Sequence, residues 1–174
     1  SPKDGVLCPL MPDSIIPSSR FHVSLMAWIC IQKFIFHMPV YRIVEMLAND
    51  NIKVSKQTLC NLIKTLGQRV QPLYDLMLEQ LLASGIIYSD DTPVKLQQKI
   101  KCKEARIWAY VGGNPNAPPY HIYDFTTSRE HLHVLEFLKE FKGIIHADAY
   151  QVYGKLDSAS DAVTWCACWA HGRR

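Results

Sequence analysis

Residues 86–94 read IIYSDDTPV, so two carboxylates, Asp90 and Asp91, directly follow a run of apolar β-forming residues. Residues 144–150 read IIHADAY and place a third, Asp148, after a similar run. An ionised carboxylate at the end of a buried strand is costly unless something partners it. Two that meet also repel each other, and a divalent cation resolves the repulsion. Aspartate oxygens are hard ligands suited to Mg2+, with Mn2+ as a substitute. Such ions activate an attacking oxygen and stabilise a leaving one in phosphodiester cleavage or strand transfer. The competing reading has Asp90 or Asp91 capping a turn and Asp148 capping the next helix.

The elements around these acids decide whether they can meet. GIIYSDD, ARIWAYVGG and PYHIYDFT are short, rich in Ile, Val, Tyr and Trp, and separated by turn residues, which predicts three successive antiparallel strands. SREHLHVLEFLKEF comes next, with Ser128 as a cap and Leu132, Leu135 and Leu138 at helical spacing. GIIHADAY then reads as a fourth strand, QVYGKL as a short helix, and AVTWCACWAHGRR as a fifth strand running to Arg174. Three strands, helix, strand, helix, strand is the ribonuclease H-like arrangement, with a mixed sheet whose first and fourth strands are neighbours. The first strand is expected to end at Asp90, where Thr92-Pro93 breaks the run. Counting by twos puts Tyr88 with Asp90 on one face, and His146 with Asp148 on one face. Asp90 and Asp148 are thereby expected to meet as the catalytic, metal-holding pair.

Upstream, the pattern is helical. PSSRFHVSLMAWICIQKFIFHM opens with a Ser cap and predicts one helix with a broad buried face up to Pro39. Val40, Ile43, Val44 and Leu47 predict a second helix, NDN breaks it, and Ser55 caps a third carrying Leu59, Leu62, Ile63 and Leu66. Helix, short turn, helix is the outline of a helix-turn-helix. Lys53, Lys56 and Gln57 open its second helix, either as DNA contacts or as ordinary solvated first-turn residues. A further helix from Pro72 to Ala83 turns Leu73, Leu76, Met77 and Leu81 inward and stops at Gly85. The expected organisation is α+β: a helical, helix-turn-helix-like DNA-binding region over 1–84 and a ribonuclease H-like catalytic core over 85–174.

The totals agree with a folded chain: 174 residues, 48% hydrophobic and 20% charged. A net charge of +3 is too mild to establish a nucleic-acid partner alone. Lys95, Lys99, Lys101, Lys103 and Arg106 cluster locally, as a solvated hairpin or a phosphate-contacting patch. Six cysteines form no C-x-x-C pair and read as reduced thiols of a cytosolic protein. Cys166, Cys168 and His171 lack a fourth zinc ligand, and their alternation suits a buried strand. No Gly-rich phosphate loop or Ser-His-Asp pattern supports nucleotide hydrolysis or acyl transfer.

SDDTPV, ARIWAYV, HADAYQVY and CWAHGRR, in this order and preceded by MPVYR and VSKQTL, resemble the insertion-sequence-66 transposases of the DDE superfamily. The resemblance implies bacterial DNA transposition, with Asp90 and Asp148 as first and second catalytic aspartates and Mg2+ or Mn2+ as cofactor. Asp91 stands where that family usually has Glu and is expected as an accessory neighbour. His171, Arg173 and Arg174 fall on a cluster expected to contact DNA phosphate. The implied partners are transposon ends and target DNA, further copies of the protein in the active complex, and accessory proteins of the same element, in a nucleoid-associated cytoplasmic setting. The family's third acid, a glutamate on a helix beyond the fifth strand, would fall after Arg174, and its amino-terminal zinc module would fall before Ser1. The chain is therefore expected to be incomplete at its C-terminus. The alternative is a catalytically inactive DNA-binding remnant that regulates an intact enzyme.

Overall fold

A computed structural model of the protein describes residues 14–17, 19–98, 101–159 and 161–173. Most of the extended lead-in expected over 1–17 lies outside these residues, as do Cys8, Lys99 and Arg174. Among the described residues the chain is α+β, with seven α-helices and a mixed five-stranded sheet, divided into two compact units, Ser1–Pro72 and Leu73–Arg174.

The first unit is helical. Helix α1 (Val23–Cys30) runs into a π-helical turn, Ile31–Ile35, and then come α2 (Val40–Asn49) and α3 (Lys56–Arg69). Met26 and Ile29 of α1, Ile43 and Leu47 of α2, and Leu59, Leu62 and Leu66 of α3 form its core. The single long helix expected over this apolar run is not the one that forms. The extra residue in the π turn rotates the succeeding side chains by roughly 100°. Phe34, Ile35 and Phe36, in and just after this turn, are exposed. The Ser cap is also corrected: His22 caps α1 through Nδ1, which accepts from the Ser24 amide, while Ser19 Oγ accepts from the Phe21 amide one turn earlier.

Between α2 and α3 the expected break is present. Asn51 is left-handed (φ 61°), its amide donates to the Ala48 carbonyl, and the Ile52 amide donates to that of Leu47, which closes α2 with its last carbonyls satisfied. Ser55 Oγ then accepts from the Thr58 amide at 3.0 Å and opens α3. Ser55→Ala should destabilise this unit by about 1 kcal/mol in urea denaturation. An unchanged midpoint would mean that water replaces the cap.

The second unit contains α4 (Gln71–Leu82), β1 (Ile86–Leu96), β2 (Lys103–Gly112), β3 (Tyr120–Thr126), α5 (His131–Phe137), β4 (Gly143–Ala147), α6 (Gln151–Ala159), β5 (Val163–Ala167) and α7 (Trp169–Gly172). Its sheet order is β3-β2-β1-β4-β5, antiparallel from β3 to β1 and parallel from β1 through β4 to β5. The expected adjacency of first and fourth strands is therefore present. Gly143 makes it possible: at φ 139° it lies against the Gly85 carbonyl, which any Cβ would strike. The Ile144 amide donates to that same carbonyl at 2.9 Å.

One sheet face, with Ile87, Trp108, Tyr110, Ile122 and Ile145, packs with Leu81 of α4, Val134 and Leu138 around α5, and Val152 and Tyr153 of α6. Leu81 thereby joins α4 to the sheet core, so the units divide at Pro72 and not at Gly85. Leu73 and Leu76, expected inward, are exposed, and only the C-terminal part of α4 is deeply buried. The opposite face leaves Ile86, Tyr88, Ile107, Tyr123, Phe125 and Ile144 exposed.

Three further expectations are corrected. Strand β1 continues through Thr92-Pro93 to Leu96, because beyond Tyr88 only β2 pairs with it, and proline is tolerated on such an edge. Glu130, not Ser128, stands at the start of α5, since Ser128 Oγ is engaged with His133 Nε2 at 3.1 Å; Leu132 of that helix is exposed. Strand β5 stops at Ala167, because β4 offers no partner past Ala147, and the chain winds into α7.

Candidate active site

Alternation along β1 sends its two adjacent acids to opposite faces of the sheet. Ser89 and Asp91 share the packed face; Tyr88 and Asp90 share the open one. On the packed side, Asp91 is clamped by Arg106 Nη1 at 2.8 Å and Arg129 Nη2 at 2.7 Å, leaving its side chain 4% exposed. Arg106 also reaches Glu104. Asp90 is 60% exposed, and its Oδ1 accepts the Asp91 amide at 2.9 Å and lies 3.8 Å from His171 Nε2. A cavity of about 280 Å³ opens beside it, lined among others by Tyr88, His146, Cys168 and His171.

Asp148 sits one residue past β4, 24% exposed. Its Oδ1 accepts the Tyr150 amide at 3.0 Å, the helix-entry role of the competing reading, while Oδ2 lies 3.6 Å from Arg129 Nη2. The parallel ladder pairs Ile86 with Ile144 and Tyr88 with His146, whose rings are 5.4 Å apart. Two residues beyond that pair on each strand stand Asp90 and Asp148. The described contacts join Asp148 to Asp91 through Arg129, and Asp90 to His171. None links Asp90 to Asp148 directly. The accessory position Asp91 is thus the better anchored of the two neighbours.

Arg129 is the residue that sequence reasoning missed. Its guanidinium lies over the Tyr150 ring, 4.2 Å from the centroid, and the Tyr150 hydroxyl donates to its carbonyl. Burial alone would lower its pKa, but the hydrogen bond to Asp91 and the charges of Asp91 and Asp148 push it up. One signal was available: a cation just before the start of α5 opposes the helix dipole and calls for a carboxylate partner. Packing holds the arrangement together, since Ser89 Oγ and Tyr153 Oη lie 2.8 Å apart and tie β1 to the helix that begins just after Asp148.

The other expected residues are spread out. Lys53, Lys56 and Gln57 are exposed on the first unit, with Gln57 Nε2 donating to Asn61 Oδ1 at 2.9 Å. Arg20, Lys53, Ser55 and Asn61 line a groove there together with Ile16, Phe21, Val54 and Leu62. His171 belongs to α7 and its Nδ1 is buried without a partner among the described residues, while Arg173 is exposed just after it. Among the described residues no three His, Cys, Asp or Glu side chains are grouped to hold a metal. Asp90 and Asp148, 60% and 24% exposed, carry hard carboxylate oxygens of the class that Mg2+ and Mn2+ take. No described helix is long and apolar enough to cross a membrane.

A family model described as Transposase IS66 family matches residues 18–174. Two proteins of Sinorhizobium fredii (strain NBRC 101917 / NGR234), y4qI and y4hP, both described as uncharacterized, are 30% identical over 99% and 94% of this chain. The aligned segment covers 34% and 31% of their lengths, so the chain spans about a third of the relatives it matches.

Proposed function

The chain belongs to the Transposase IS66 family, and from that premise we propose that it carries the DNA-binding helices and two catalytic aspartates of a DDE transposase. The observation that carries this reading is the parallel β1–β4 ladder, which ends at Tyr88 and His146 just short of Asp90 and Asp148. A meander of three strands followed by two parallel strands supports a ribonuclease H-like core. The closed turn after α2 and the Ser55 cap of α3 support a helix-turn-helix, with Lys53, Lys56 and Gln57 toward DNA.

In this reading Asp90 and Asp148 hold Mg2+, or Mn2+, which when bound supplies Lewis-acid activation of the attacking and leaving oxygens. Water and then the freed 3′-hydroxyl are the nucleophiles at transposon ends. The chain's own residues prepare the site. The Asp91 amide and the Tyr150 amide each fix one carboxylate oxygen, which leaves Oδ2 of Asp90 and of Asp148 outside those two hydrogen bonds. Asp91 and Arg106 brace the strand from behind, and in this reading His171, Arg173 and Arg174 are the contacts to DNA phosphate. The partners are transposon ends and target DNA, other copies of the protein in the active complex and accessory proteins of the element, in the bacterial cytoplasm at the nucleoid.

The test is cleavage of labelled terminal DNA by the intact transposase, with Mg2+ and with chelator. Metal-dependent nicks at the ends are expected. Cutting that ignores the ends would indicate a general nuclease, and binding of the 174-residue chain that lacks a steep salt dependence would remove the DNA-binding assignment.

A further inference from the structure

We infer that Arg129 is a positioning residue that takes the place of a divalent cation at Asp148, neutralising and orienting that carboxylate and weakening metal binding there. The inference rests on the reading of Asp148 as a metal ligand. One guanidinium nitrogen serves two acids: Nη2 is 2.7 Å from Asp91 Oδ1 and 3.6 Å from Asp148 Oδ2. Asp91 is fixed from its other side by Arg106, and the Tyr150 ring lies against the guanidinium plane. The positive charge is therefore held in place by contacts that do not involve Asp148. It stays a few ångströms away when a cation arrives.

The Asp148 oxygen facing Arg129 is also the one that Tyr150 leaves available, because the Tyr150 amide is on Oδ1. A divalent ion at Oδ2 thus meets a fixed like charge. With Arg129 38% exposed, a water-like dielectric applies, and a double and a single charge about 6 Å apart then weaken binding roughly tenfold. Metal occupancy tracks the cation concentration as a result, and Asp148 is not left an unpaired carboxylate between turnovers.

The experiment is Mn2+ binding to the 174-residue chain, read by electron paramagnetic resonance, for wild type, Arg129→Gln, Arg129→Lys and Asp148→Asn. Arg129→Gln should bind Mn2+ roughly tenfold more tightly, Arg129→Lys, which keeps the charge without the planar stacked fork, should fall between Arg129→Gln and wild type, and Asp148→Asn should lose the site. Unchanged or weaker binding in Arg129→Gln, with the site still lost in Asp148→Asn, overturns the inference and leaves the metal-ligand reading standing. Binding that Asp148→Asn does not alter overturns that reading, and the inference with it. Should Arg129→Gln fail to fold, nitrogen-15 NMR of the wild-type Arg129 side chain decides. A shift on Mg2+ saturation that is absent in Asp148→Asn supports the inference, and no shift overturns it.

Discussion

Asp148→Asn in the intact transposase should lower metal-dependent strand cleavage at transposon ends on the order of a thousandfold or more, with the fold unchanged. Asparagine keeps the Oδ1 acceptor for the Tyr150 amide, so the entry to α6 survives. The negative charge that a divalent cation needs disappears. The stability cost is small, because the Arg129 contact at 3.6 Å is long and Arg129 keeps Asp91. Asp90→Asn should give a loss of the same order, again without unfolding, since that side chain is 60% exposed. Cleavage kinetics for Asp90→Asn, Asp91→Asn and Asp148→Asn, each checked by circular dichroism, test the assignment. Full activity in Asp90→Asn together with a dead Asp91→Asn would move the first ligand to Asp91, the acid that already shares Arg129 with Asp148.

Asp91→Ala should cost the 174-residue chain about 3 kcal/mol of stability, a large fraction of a typical domain's total. With 4% of its side chain exposed, Asp91 balances two guanidiniums, one of them on Arg106, itself 16% exposed. Arg106 Nε has no partner among the described residues, so deleting the carboxylate leaves this largely buried cation with only the exposed Glu104 to balance it. The more exposed Arg129 recovers part of its hydration, which places the figure at the low end for a broken buried pair. Urea denaturation measures the loss, and a change below about 1 kcal/mol would show that water replaces the carboxylate. Adding Arg106→Met to Asp91→Ala should recover a substantial part, because the stranded charge then goes too.

Local signals were legible where the structure is local. The Ser55 cap, the break at residues 50–51 and the five strands came from capping chemistry and residue period, and the order of strands along the chain already made β1 and β4 neighbours. Features set by distant partners were not legible. The length of β1 depends on β4 leaving its side after Tyr88, which no residue between 86 and 96 encodes. Which of Asp90 and Asp91 is buried depends on α4, α5 and α6 packing on the face that Asp91 shares. Arg129 meets its two carboxylates 38 and 19 residues away, and no short-range pattern carries that.

The alternation that separates Asp90 from Asp91 also governs how this strand can change over generations. Along β1 each residue faces away from its neighbours, so inserting or deleting one residue between Gly85 and Asp90 would exchange the buried and the exposed carboxylate. After a deletion Arg106 and Arg129 would face Thr92 in place of an acid, and after an insertion Asp90 would take the Asp91 place and the open face would lose its carboxylate. Point substitutions at solvent-facing positions such as Lys95 carry no such penalty. This segment can therefore drift in composition at its surface, while its length up to Asp90 is fixed to the residue.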